Sequence, residues 1–213
     1  GITIAIVLNL FYDYEGQRQD LIRYMRETEN QLQILLCELA AYLHNKDMEI
    51  NVWDRIIAFE GRMHEFIKAA YDYQDNTFHS HPGYYIDYFE MRLAQLQVLH
   101  NLHYEIKKIR KMPKQALVIA DYIMYMADYV VEMNIPDQQI EKLEEISEQM
   151  KQEELPKTRE EFEGRALLYH ILMDLEEFLV YKKRFVNGLD EKKLRIYWKQ
   201  EMEQKDSANE LQK

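Results

Sequence analysis

Tyr84, Tyr85, Tyr88 and Arg92 are the densest grouping of side chains with binding chemistry in this 213-residue sequence. Tyr85, Tyr88 and Arg92 follow helical spacing, so they share one helix face. A guanidinium fork grips a carboxylate through two parallel hydrogen bonds, and tyrosine rings can flank an aromatic group. Such a face would suit an aromatic carboxylate. The same residues also admit a structural reading, in which the rings pack the start of a helix and Arg92 pairs with a glutamate of a neighbouring helix. A second polar stripe, Asp121, Tyr125 and Asp128, would either dock another subunit or simply meet solvent.

Other chemistries find less support. His100 and His103 lie three apart on one face and could touch one ion, but two histidines without further ligands do not make a metal site. A di-iron carboxylate bundle would use Glu-x-x-His, and no histidine of this chain has a glutamate three residues before it. Both are therefore read as structural. His79 and His81 sit in a loop and would bind metal only adventitiously. Cys37, the single cysteine, lies among Leu35, Leu36 and Leu39. It reads as a buried, inert thiol and excludes an internal disulfide framework. Ser80 and Ser147 occupy no nucleophile elbow, and no glycine-rich phosphate loop is present. The sequence thus names no catalytic residue, no metal and no cofactor, and the chain is not expected to be an enzyme.

Apolar residues at three- and four-residue spacing predict the helices that position these side chains. Gly1 to Tyr12 is an apolar run, too short alone to cross a bilayer, which takes about 20 apolar residues. It is either the end of a membrane helix or an N-terminal core helix. Asp13 to Gly16 is expected to break it. A helix then follows over 17–43, with Leu21, Met25, Leu32, Leu35, Leu39 and Tyr42 on one face. After a polar turn at Asn45 to Asp47, a second helix carries Trp53, Ile56, Ile57, Met63, Ile67 and Ala70 on one side. A loop from Gln74 to Gly83 leads to a third helix over 84–112, stopped by Pro113. The apolar segment 116–131 carries Asp121 and Asp128, each costing about 2.5–3.5 kcal/mol at a bilayer centre. It is read as a central bundle helix with both aspartates on its wet face.

A short charged helix with Ile140, Leu143, Ile146 and Met150 follows the turn at Asn134 to Asp137. Thr158 and Glu161 have capping-box spacing, so a long helix should start at Thr158 and end near Gly188. Leu194, Tyr197 and Trp198 suggest a last helix, and the tail from Gln204 is polar. Phe59-Glu60-Gly61-Arg62 recurs as Phe162-Glu163-Gly164-Arg165, which is read as coincidence because the flanks diverge. Both glycines fall inside helices, where they would let a neighbouring backbone approach. No strand pattern is visible. The expected fold is all-α: an antiparallel helical bundle of long helices with one or two short ones. Its expected organisation is an apolar segment 1–12, a bundle domain 13–203 and a polar tail 204–213.

The composition agrees. Apolar residues make up 47% and charged residues 31%, enough for one domain with a substantial core. Only six glycines and four prolines interrupt it, which favours long helices. A net charge of −11 removes the basic footprint that nucleic-acid binding needs and argues against wrapping onto anionic lipid.

His81-Pro82-Gly83-Tyr84-Tyr85, leading into Tyr88-Phe89-Glu90-Met91-Arg92 and then Gln95 and Leu99, resembles the C-terminal domain of the putative aromatic acid exporter family of Gram-positive bacteria. Glu160 to Glu163, Arg165 to Tyr169, Asp174 to Glu176 and Lys183 to Phe185 are similar to that family's last long helix. Ile4 to Leu10 is similar to the end of its final membrane helix. The resemblance implies a membrane protein whose spans precede a helical domain on the cytoplasmic side of the cell membrane. It also implies a role in assembly, gating or ligand sensing and, as partner, the protein's own membrane-embedded N-terminal domain. Arg18, Arg23 and Arg26 after the apolar run agree with a positive-inside orientation. A homo-oligomer and an aromatic carboxylate are possible further partners. The alternative is a free-standing scaffold bundle that self-associates through the apolar run.

Overall fold

The computed structural model describes residues 2–45, 52–76 and 83–198, the first thirteen of them by backbone alone. Seven helices and no strand occur among the described residues: α1 (Ile2–His44), α2 (Val52–Asn76), α3 (Gly83–Lys108), α4 (Ala116–Ala127), α5 (Asp137–Lys151), α6 (Arg159–Asn187) and α7 (Glu191–Tyr197). The fold is the expected all-α bundle.

Cross-helix contacts give the helix directions. Glu38 meets Arg55 and Glu27 meets Arg62, so α1 and α2 run antiparallel. Trp53 meets His100 while Tyr73 meets Tyr85, which makes α2 and α3 antiparallel as well. Gln95 bonds to the Phe178 carbonyl while Tyr84 meets Phe185, so α6 descends along α3. His44 meets Asp121 while Gln33 reaches the Val130 carbonyl, so α4 descends along α1. The most extensive packing is α3 on α6, then α1 on α4 and α2 on α3.

The central helix is α3, not the segment 116–131. Tyr84, Tyr85, Tyr88, Phe89, Leu96, Leu99, Leu102 and Ile106 are all buried, together with Ile86, Met91 and Val98 on other faces. A helix buried on several sides is apolar on several sides. By contrast α4 packs chiefly on α1 and buries Ile119, Ala120 and Ile123, while Leu117, Val118 and Met124 stay exposed. Asp121 and Asp128 do lie on its wet side.

Other boundaries moved for local reasons. No break interrupts α1, which runs 43 residues through Asp13 to Gly16. One helical glycine costs only about 1 kcal/mol, and Glu15 and Arg18 pair one turn apart across it. Helix α3 ends at Lys108, four residues before Met112, the one residue that Pro113 directly restricts. Thr158 caps α6 by accepting from the Glu161 amide at 3.1 Å. The returning Glu161 carboxylate takes the Lys157 amide at 2.9 Å, one residue earlier than a reciprocal box requires. Gly188 does end α6, but with φ −78°, so its freedom to turn left-handed goes unused.

The repeated tetrapeptide is not a structural repeat. Phe59 is buried and Phe162 is 62% exposed. Only Gly164 permits a close approach: a Cβ there would lie 2.9 Å from Pro113 Cγ, whereas one at Gly61 would meet nothing.

Candidate functional site

Helix α3 carries all four sequence-predicted site residues, and all four are interior. Tyr84, Tyr88 and Arg92 are at most 1% exposed and Tyr85 is 3% exposed. They do not form one surface. Tyr85 turns toward Tyr73 and Tyr197, while Tyr84 stacks flat on Tyr197 at 3.9 Å between ring centres. Tyr88 and Arg92 share a side, with the guanidinium 5.1 Å from the Tyr88 ring centre.

These residues enter a buried polar network. Tyr84 donates to Glu132 Oε1 at 2.5 Å and accepts from Trp198 Nε1 at 3.1 Å. Tyr88 donates to Glu29 Oε1 at 3.0 Å. Arg26, half-exposed at the rim, bridges the two carboxylates, 2.8 Å from Glu29 and 3.0 Å from Glu132. Lys182 of α6 donates to the backbone carbonyl of Glu132. Gln95 locks the arginine, accepting from Arg92 Nη1 at 2.9 Å and donating to the Phe178 carbonyl at 2.8 Å. Taking charges out of water costs several kcal/mol each, so such a network persists only where hydrogen bonds repay the loss.

The two carboxylates are better met than Arg92. Each Glu29 and Glu132 oxygen accepts at least one hydrogen bond. Arg92 Nε and Nη2 donate none, although Nη2 stands 3.7 Å from Glu29 Oε1. Burial, and then the Glu132 carboxylate, hold the Tyr84 hydroxyl far above its ordinary range. Burial raises the Glu132 carboxyl, against the Tyr84 hydrogen bond and Arg26. Burial, reinforced by Arg92, pushes the Lys182 amine well down. Burial also opposes the Arg26 charge, but the Glu29 hydrogen bond and the two carboxylates outweigh it.

Two hollows adjoin this network. An open cleft of about 690 Å³ is bordered by Arg26, Glu132, Tyr129, Asn134, Asp137 and Gln138. Behind it a cavity of about 10 Å³, room for roughly one water, is lined by Arg92, Lys182, Gln95, Gln139, Tyr129 and Asn134. Tyr129 and Asn134 line both.

Sequence reasoning missed Glu29, Glu132 and Lys182. A signal was present for two of them: Glu29 sits in the apolar register Met25, Leu32, Leu36, and Lys182 in Leu175, Phe178, Leu179, Phe185. The remaining candidates fall elsewhere. His103 is buried beside Trp53, and burial lowers its imidazole. His100 packs on Trp53, and no group of three or more potential metal ligands exists among the described residues. His79 and His81 lie outside the described residues. Cys37 is exposed, contrary to expectation, because its helix position faces the groove beside Asp128 rather than the core.

The architecture defines an all-α helical domain with a charged interior. Residues 18–183 match the family described as "putative aromatic acid exporter C-terminal domain", and the chain belongs to that family. This is a transporter-associated family rather than an enzyme family. The chain is 26% identical over 187 residues to "Uncharacterized protein YqjA" of Bacillus subtilis (strain 168), a match covering 87% of this chain. The chain spans 56% of that relative's length. A crystal structure of a "putative membrane protein" from Clostridium difficile 630 has the same fold, with TM-score 0.68 and 24% identity, over 78% of this chain and 98% of that one. No helix among the described residues is long and apolar enough to cross a membrane.

Proposed function

We propose that this bundle is the cytoplasmic domain of a membrane-embedded exporter, where it serves assembly, gating or ligand sensing. Membership of the exporter-domain family carries the reading. The continuity of α1 supports it. A single hydrogen-bonded helix, about 65 Å long at 1.5 Å per residue, joins the apolar residues 2–12 to the bundle core that begins at Leu21. Movement of either end would reach the other without a hinge. The partner is then the protein's own membrane-embedded portion.

The test is fractionation of the full-length gene product, combined with labelling of Cys37 by a membrane-impermeant maleimide. The reading expects detergent-dependent extraction and Cys37 labelling only after the cells are opened. Recovery without detergent, or labelling of intact cells, would overturn it.

A further inference from the structure

Apolar surface is left uncovered along one side of the bundle. Leu155, Met173 and Phe162 are the three most exposed large apolar side chains among the described residues, at 85%, 63% and 62%. Leu155 lies in the connection between α5 and α6, and the other two lie on α6. Phe162, Ala166, Tyr169 and Met173 follow one another at helical spacing and form a single stripe along that helix. Tyr169 and Met173 also wall a groove of about 510 Å³ between α5 and α6. Ile140, Leu143 and Leu172 complete its apolar lining, and the exposed Glu144, Glu148 and Glu176 edge it. Lys151 is the only cation lining it among the described residues, and Glu148 already holds that amine at 3.1 Å. Glu144 and Glu176 form no ion pair among the described residues. The groove follows α5 from Ile140 to Lys151, about 16 Å or three helical turns. An apolar floor edged by unpaired carboxylates matches the apolar face of a helix whose flanks carry lysine or arginine.

We propose that the α5–α6 groove docks a basic amphipathic helix of a partner protein. The apolar stripe of that helix lies on Leu143, Leu172 and Met173, and its basic flanks meet Glu144 and Glu176. A second copy of this chain fits less well. Two α6 stripes laid parallel set Arg159 against Arg159 and Glu176 against Glu176. Laid antiparallel, they match Phe162 with Met173 and Arg159 with Glu176, which relieves the repulsion. However, α1 runs opposite to α6, so antiparallel pairing points the two α1 N-termini in opposite directions. One membrane cannot receive both. That exclusion of a second copy rests on the membrane reading above, whereas the groove and its charges do not. The test uses the 213-residue chain in solution and leaves membrane residence to the fractionation experiment, so the two can fail separately.

The probe is a synthetic leucine–lysine peptide with leucines at helical spacing, about 14 residues long to fill the three turns of the groove. Its controls are a scrambled peptide of the same composition, which keeps the charge but loses the stripe, and a leucine–glutamate version. Fluorescence anisotropy should show saturable one-to-one binding of the probe and at least tenfold weaker binding of both controls. Met173→Lys should weaken the probe at least tenfold with an unchanged thermal melt, since that side chain is mostly exposed. Met124→Lys, at an exposed position of α4, should leave binding unchanged. In the unmodified chain the Met173 methyl resonance should shift as the probe saturates while that of Met124 stays in place. Scrambled peptide binding as tightly as the probe, equal effects of the two substitutions, or an unmoved Met173 methyl would each overturn the proposal. So would sedimentation of the chain alone as a dimer that Met173→Lys dissolves, which would give the groove to a second copy.

Discussion

Replacing Gly61 and Gly164 by alanine, one at a time, separates helix propensity from packing within one protein. Each substitution gains about 1 kcal/mol of helix propensity, since a helical glycine is that much worse than alanine. Gly61 faces open space, so Gly61→Ala should keep the gain. Tm should then rise by roughly 2–4 °C, the shift per kcal/mol for a chain of this size. At Gly164 the new methyl would sit 2.9 Å from Pro113 Cγ, 3.3 Å from the Lys111 carbonyl and 3.4 Å from Pro113 Cδ. A proline ring and a backbone carbonyl yield poorly. Overpacking costs about 1–3 kcal/mol, and two rigid neighbours place this case toward the upper end. The net expectation for Gly164→Ala is a loss of about 1–2 kcal/mol. The propensity term cancels in the difference, so the two variants should differ by about 2–3 kcal/mol. Urea unfolding gives both values, with the slope unchanged if only native stability moves. Equal stabilisation by the two alanines would refute the claim that the α3–α4 connection presses on α6 at Gly164.

Two further outcomes are expected. Burial, with Glu105 and Glu177 adding to it, lifts the Asp174 carboxyl to about 6, and its Oδ2 has no hydrogen-bond partner. The folded chain therefore holds that proton more tightly than the unfolded one, and stability falls as pH rises from the ordinary carboxylate range through 6. Asp174→Asn should match the parent near pH 4 and exceed it in urea midpoint at pH 8, and a pH-independent difference would contradict this. Cys37 should react fully with a disulfide reagent in the native state, yet slowly at neutral pH, because partial desolvation in its groove, then Asp128 and Glu38, raise its thiol. Asp128→Asn should speed the reaction, and an unchanged rate would remove Asp128 from that account.

Most of the bundle was legible because its helices are periodic. The stripe from Leu21 to Leu39 and the capping spacing at Thr158 and Glu161 translate directly into a buried face and a helix start. The failures share a cause. Single breaker residues were given too much weight at Asp13 to Gly16, where neighbouring helix formers carry the chain across one glycine. Apolar density alone suggested that 116–131 is central, whereas centrality belongs to α3, which is buried on several sides. Cys37 shows the limit of reading neighbours in sequence. Leu36 and Leu39 are buried on either side of it, and a helix position rotated from theirs faces out. The tyrosines and Arg92 lie in the interior, and their partners come from α1, the α4–α5 connection, α6 and the residue after α7. Local periodicity says nothing about pairings 48 to 114 residues apart.

The uninterrupted α1 also fixes a phase. Each residue of an α-helix advances by about 100° and 1.5 Å. The azimuth of the apolar residues 2–12 is thereby geared to the bundle that grips α1 from Leu21 onward. Deleting one residue between Leu10 and Leu21 would swing that apolar segment through about a quarter-turn relative to the bundle, at almost no change in length. Deleting seven would nearly restore the angle and draw the two ends about 10 Å closer. If bundle and apolar segment communicate by rotation, function across such a deletion series should recur every three to four residues. If they communicate by distance, it should decay smoothly.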